Sequence, residues 1–150
     1  MPMLPDPARM DIIDRACLSA FEAVEPFSAF SLCETIMDDP ALPMHCPYHH
    51  YLIPAVLITA ACKTSGEPIE MLQKRLKTAR ERAGTVPGGC CGQFGCCGAA
   101  VGAGIFACVW QGSTPLSKTG WAAGNEMTAR CLSAIASVEG PRCCKRVTYL

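Results

Sequence analysis

Between Ala8 and Val24 the apolar residues Ile12, Ile13, Ala16, Cys17, Ala20, Phe21 and Val24 recur every three or four positions, the period of one helix face, and Asp11 and Asp14 sit near its favourable N-terminal end. An amphipathic helix is predicted there. A second helix is predicted from Pro26, since proline suits a first helical turn, with Phe27, Phe30, Leu32, Cys33, Ile36 and Met37 as its apolar side. Asp38-Asp39-Pro40 ends it. Pro40, Pro43 and Pro47 then make the chain extended or turning, so His45, Cys46, His49 and His50 are expected in or beside a rigid loop. From Tyr51 to Lys63 the pattern is apolar nearly all round, which predicts a core helix that tolerates Pro54 in its first turn.

After Thr64-Ser65-Gly66, Pro68 to Ala83 carries Ile69, Leu72, Leu76 and Ala79 on one side and charges on the other, the pattern of a surface helix. Gly84 and Pro87-Gly88-Gly89 stop it and open a loop that leads into a helix over Ala99 to Trp110. Glycine in a helix costs roughly 1 kcal/mol against alanine. Gly98 and Gly102, with Ala99 and Ala103, therefore predict that another backbone approaches closely on that side. Gly112 to Pro115 reads as a loop, and Thr119 to Ser137 regains helical spacing through Trp121, Met127, Cys131, Leu132 and Ile135. With no alternating strand pattern and no repeat, the expected class is all-α: a compact single-domain helical bundle over 1–150, with N-terminal helices to 44 and a motif-bearing core over 45–150.

Composition narrows what such a bundle does. Lysine plus arginine and aspartate plus glutamate each number 13, so no net field draws nucleic acid, and no basic stripe interleaved with aromatics is present. Half the residues are hydrophobic and only 17% are charged, which points to a sparsely charged surface, a partner protein or a homodimer. The apolar runs fall short of the roughly 20 residues of a membrane-spanning helix. The opening MPMLPDPARMDIID has neither the basic nor the apolar region of a secretory signal, which places the protein in the cytoplasm. In that reducing compartment twelve cysteines read as thiolate ligands or redox thiols rather than as a disulfide scaffold.

The chemistry concentrates in GGCCGQFGCCGAAVGAGIF, Gly88 to Phe106, where two adjacent cysteine pairs share a glycine-rich loop that runs into a small-residue helix. Iron–sulfur clusters need several thiolates, and ligands a few residues apart on a turning loop reach different irons of one cluster. Cys91 and Cys97 have that spacing. The surrounding glycines leave amide groups unshielded, and the helix that follows directs its positive end at the thiols. Cys17, Cys33, Cys62, Cys108 and Cys131 instead fall on apolar helix stripes and read as small core residues. In each adjacent pair only one thiol points readily at a given centre, leaving Cys90 or Cys96 to pack or to act as an additional thiol.

Zinc is the inorganic alternative, since cysteine and histidine are its usual ligands, but its paired C-x-x-C spacing is absent. A metal-free vicinal-thiol oxidoreductase is a third reading, because thiols at a helix N-terminus have depressed pKa values. In HCPYHH, Cys46 is a candidate remote ligand, and His45, His49 and His50 are candidate ligands, supporting donors or proton carriers, or else cap the next helix. In GPRCCKR, Arg142, Lys145 and Arg146 surround Cys143 and Cys144 with positive charge, suited to balancing a cluster or attracting an anionic substrate. Neither a serine–histidine–acid set nor a phosphate-binding loop is found, and the glycine-rich helix lacks the lysine that such a loop needs.

HCPYHHYLIPAVL at 45–57, VPGGCCGQFGCCGAAVGAGIF at 86–106 and GPRCCKR at 140–146 resemble a family of cysteine-rich domains of unknown function in bacteria and archaea, often found with methyltransferase-like proteins. The resemblance implies that Cys46, Cys91, Cys97, Cys143 and Cys144 are the thiols that matter, with Cys90 and Cys96 as extras. It also implies a methyltransferase-like partner. The sequence is thus expected to encode a [4Fe-4S] protein with Cys46, Cys91, Cys97 and one of Cys143 or Cys144 as ligands, serving redox or sulfur-transfer chemistry with a redox or methyltransferase-like partner. A non-catalytic zinc-binding interaction module is the alternative.

Overall fold

Eight helices and no strand form residues 6–150, the part of the chain that the computed structural model describes, and the opening MPMLP lies outside it. The all-α class is confirmed. Helix α1, Pro7–Glu22, starts at Asp6, whose carboxylate accepts the Ala8 amide at 3.0 Å, and buries Met10, Ile13 and Cys17. Helix α2, Ala29–Met37, does not start at Pro26. Ser28 caps it, exchanging hydrogen bonds with Ser31 in a reciprocal box that satisfies amides a bare proline start leaves open.

Helix α3, Tyr48–Thr64, begins before Tyr51, so His49 and His50 lie in the helix rather than in the preceding loop. It is the central element, packing against α1, α2, α4 (Ile69–Gly84), α6 (Gly98–Trp110) and α8 (Cys144–Tyr149). Such an environment leaves it no polar face. Tyr51, Leu52, Ala55, Ile58, Thr59 and Cys62 are all within 1% of complete burial. The Tyr51 hydroxyl donates to Asp14 of α1, and Arg80 of α4 pairs with Asp14 and with Asp11, so one polar network joins three helices above the core.

Two short helices interrupt segments with no helical period: α5, Cys90–Phe94, within the cysteine loop, and α8 in the tail. The outer helix α7, Trp121–Ala136, packs on α6, where Gly104 and Gly124 let the two backbones meet, and leaves Trp121 74% exposed. Cys17, Cys33 and Cys62 are buried, whereas Cys108 and Cys131 at the α6–α7 contact are only partly so.

The crossing of α3 and α6, the helix that follows directly on the cysteine loop, depends on Gly102. A Cβ there would lie 2.7 Å from the His50 carbonyl oxygen and 3.0 Å from Cδ of Pro54, atoms that cannot swing aside. Gly102→Ala is expected to cost about 1–3 kcal/mol, as overpacking does, read as a Tm several degrees lower in thermal unfolding. Gly84→Ala, at a helical position with nothing within 4 Å of the new methyl, should hold or raise the Tm by lowering unfolded-chain entropy. Equal Tm values for the two variants would contradict the close crossing.

Candidate thiol site

Cys46 is placed by the proline loop. Pro47 caps α3, and the Cys46 thiol lies at the helix start, donating to the Pro43 carbonyl at 3.1 Å with the Tyr48 and His49 amides directed at its sulfur. At 6% exposure, burial pushes its pKa up to about 11. Cys97 caps α6 in extended geometry and makes no side-chain cap bond, so the first-turn amides of α6 have no partner within the helix. Cys91 rides on α5, a single turn held between Gly89 and Gly95, both at positive φ. Most side chains adopt that conformation only with strain.

The C-terminal tail closes the site. The Lys145 amide donates to the Met44 carbonyl at 3.1 Å, and the Thr148 hydroxyl bonds the Cys144 carbonyl at 2.9 Å and Nδ1 of His49 at 2.8 Å, which docks α8 on the start of α3. The Cys46 amide is directed at the Cys144 sulfur. Burial raises the Cys144 pKa, nearby Cys91 and Cys97 add to the rise, and Arg142 opposes it.

The result is one cavity of about 50 Å³, lined by thiols of all three segments: Cys46, Cys91, Cys97 and Cys144, together with His45, His49, His50 and Arg142. A larger groove of about 600 Å³ between α1 and α4 has Met10, Leu18 and Leu76 on its walls and carries no thiol. The chemistry is in the smaller space. Cys143 is outside it, capping α8 by accepting the Arg146 amide at 3.4 Å. Neither Cys90, buried in α5, nor Cys96 lines the cavity.

Of the three tail cations only Arg142 faces the thiols, its guanidinium 3.7 Å from the Cys91 sulfur. Lys145 donates to the Met37 carbonyl at the end of α2, and Arg146 to the carbonyls of Glu139 and Pro141. Glu126 pairs with Arg130 and Asn125 bonds the Trp121 carbonyl, both on the exposed side of α7. Cys131 of α7 lies close enough to Cys97 to raise its own pKa further, after burial. Its place on an apolar stripe gave no sign of this. Among the described residues no group of three or more His, Cys, Asp or Glu side chains is drawn together tightly enough to hold a single metal ion, so the thiols line the cavity wall rather than meet at a point.

Residues 13–150 match a family described only as a family of unknown function, DUF5714, and the chain belongs to that family. No curated protein matches the chain, and no solved structure does. No helix among the described residues is long and apolar enough to cross a membrane.

Two outcomes are expected in metal-free protein. Brief alkylation of the native state should label partly exposed thiols such as Cys91, Cys96, Cys97 and Cys143 first, and Cys17 and Cys62, at 0% exposure, only on unfolding. Equal rates by mass spectrometry would contradict this burial pattern. Burial lowers His49 to about 4 from 6.5, so the unfolded chain binds its proton first as pH falls. The His49-linked stability is complete above pH 6.5 and drains away towards pH 4, by about 3 kcal/mol in all. Denaturant titrations of wild type and His49→Gln across that window should differ in slope, and parallel curves would contradict it.

Proposed function

We propose that the domain binds one iron–sulfur cluster of the [4Fe-4S] type in this cavity, with Cys46, Cys91, Cys97 and Cys144 as thiolate ligands. The observation that carries the reading is the gathering of four thiols, from segments as distant as residues 46 and 144, on one small cavity. Thiolates are the donors such clusters take. Their distribution around a wall suits a cluster, which bridges its ligands with its own iron and sulfide, whereas a tetrahedral zinc site needs every donor within about 2.0–2.3 Å of one point.

The residues around the thiols suit an anionic centre. Backbone amides directed at the sulfurs of Cys46 and Cys144 spread thiolate charge, and the Arg142 guanidinium balances it at Cys91 and Cys144. Burial of Cys46 keeps water from that side, and Cys144 is partly covered. When bound, such a centre would supply one-electron transfer or, where one of the four thiols leaves its iron, attachment of a substrate sulfur there. A redox or methyltransferase-like protein is the partner class we assign to it, in the reducing cytoplasm where thiolates persist.

Anaerobic reconstitution is expected to give iron and sulfide at about four each per chain, with thiolate-to-iron absorption. Cys97→Ser and Cys144→Ser should lose most of both, while Cys90→Ser and Cys143→Ser keep them. Zinc without sulfide would put an interaction module in its place. Protein that takes up neither iron and sulfide nor zinc, with Cys91 and Cys97 alkylated far faster than the likewise partly exposed Cys96 and Cys143, would make it a thiol oxidoreductase.

A further inference from the structure

Among the buried histidines on the cavity wall, His50 is the one that keeps a ring nitrogen without a partner. The ring is carried on the first turns of α3 and is 7% exposed, and its Nδ1 lies 3.3 Å from the Val86 carbonyl oxygen. A carbonyl only accepts, so Nδ1 holds the ring proton and Nε2 presents a lone pair. Burial favours that neutral ring, lowering its pKa. Nε2 has no hydrogen-bond partner among the described residues. It reaches the start of α6 beside Cys97, where a Cβ on Gly98 would lie 2.1 Å from it. The missing side chain at Gly98 is what makes room for the ring.

The other two histidines differ. His49 is engaged twice, by Thr148 at Nδ1 at 2.8 Å and by the Pro43 carbonyl, and His45 is exposed. Cys46 differs as well, because its thiol is already satisfied by the Pro43 carbonyl at 3.1 Å. An imidazole with one nitrogen fixed by a carbonyl and the other free, on a cavity wall shared with four thiols, has the arrangement that metal-bound histidines take.

We infer that His50 is a nitrogen ligand of the centre through Nε2, so that the first shell is His50, Cys91, Cys97 and Cys144 and Cys46 is the spare thiol. The inference rests on the cluster reading above and changes one of its ligands. A neutral imidazole in place of an anionic thiolate raises the reduction potential of a cluster.

The test is pulsed electron paramagnetic resonance of the reconstituted protein with its cluster in a paramagnetic state, at natural abundance and with ¹⁵N-labelled histidine. A strong nitrogen coupling that changes with the label is expected in wild type and in Cys46→Ser. His50→Cys is expected to keep its iron and sulfide, lose the coupling and shift to a lower potential. A cluster at full iron and sulfide with no strong histidine coupling overturns this inference and leaves the four-cysteine reading standing. A coupling that survives in His50→Cys overturns it too, by assigning the nitrogen to another histidine. Protein that takes up no iron and sulfide overturns both.

Discussion

The close approach of α3 and α6 governs everything else in this fold. Helix α3 carries Cys46 just ahead of its first turn and His49 and His50 within it, and α6 opens with Cys97, so the distance between the two backbones sets the width of the thiol cavity. That distance is short because Gly98 and Gly102 present no side chain to α3. A helix as rich in glycine as α6 is poor by propensity. It is maintained by burial on nearly every side, since Ala99, Ala100, Ala103, Ile105, Ala107 and Val109 are all covered. Packing overrides propensity here in order to bring two helix ends together.

The remaining thiols reach the site by different devices. Cys91 is held on one helical turn between two left-handed glycines, and Cys144 by the tail's bonds to Met44 and His49. The cysteines of the chain consequently fall into two populations. Cys17 and Cys33, on apolar stripes, are buried in the core away from the thiol cavity, where burial pushes both thiols up. Cys46, Cys91, Cys97 and Cys144 instead line one cavity with Arg142 at the starts of α3 and α6, although burial raises Cys46 as far as Cys33.

Much of the fold was legible in the sequence because it rests on periodicity. The long helices α1, α4, α6 and α7 fall within two residues or so of their expected bounds. The misplaced starts have local causes: the Ser28–Ser31 box outcompeted Pro26 as the start of α2, and the proline loop closed early enough to bring Tyr48, His49 and His50 into α3. Helices α5 and α8, of five and six residues, are too short for any period to register. For the site, residue chemistry pointed to three segments, but their meeting is a tertiary fact set by helix packing. The fate of Lys145 and Arg146 was equally hidden. Their charges looked available in GPRCCKR, and both are taken by backbone carbonyls, leaving Arg142 alone at the thiols.

The central claim is that one inorganic centre occupies the space between the starts of α3, α6 and α8. X-ray absorption at the iron edge of anaerobically prepared protein tests it most directly. The account predicts iron surrounded mainly by sulfur, with further irons as a second shell. Iron bound only by oxygen and nitrogen, with no iron neighbours, would contradict it.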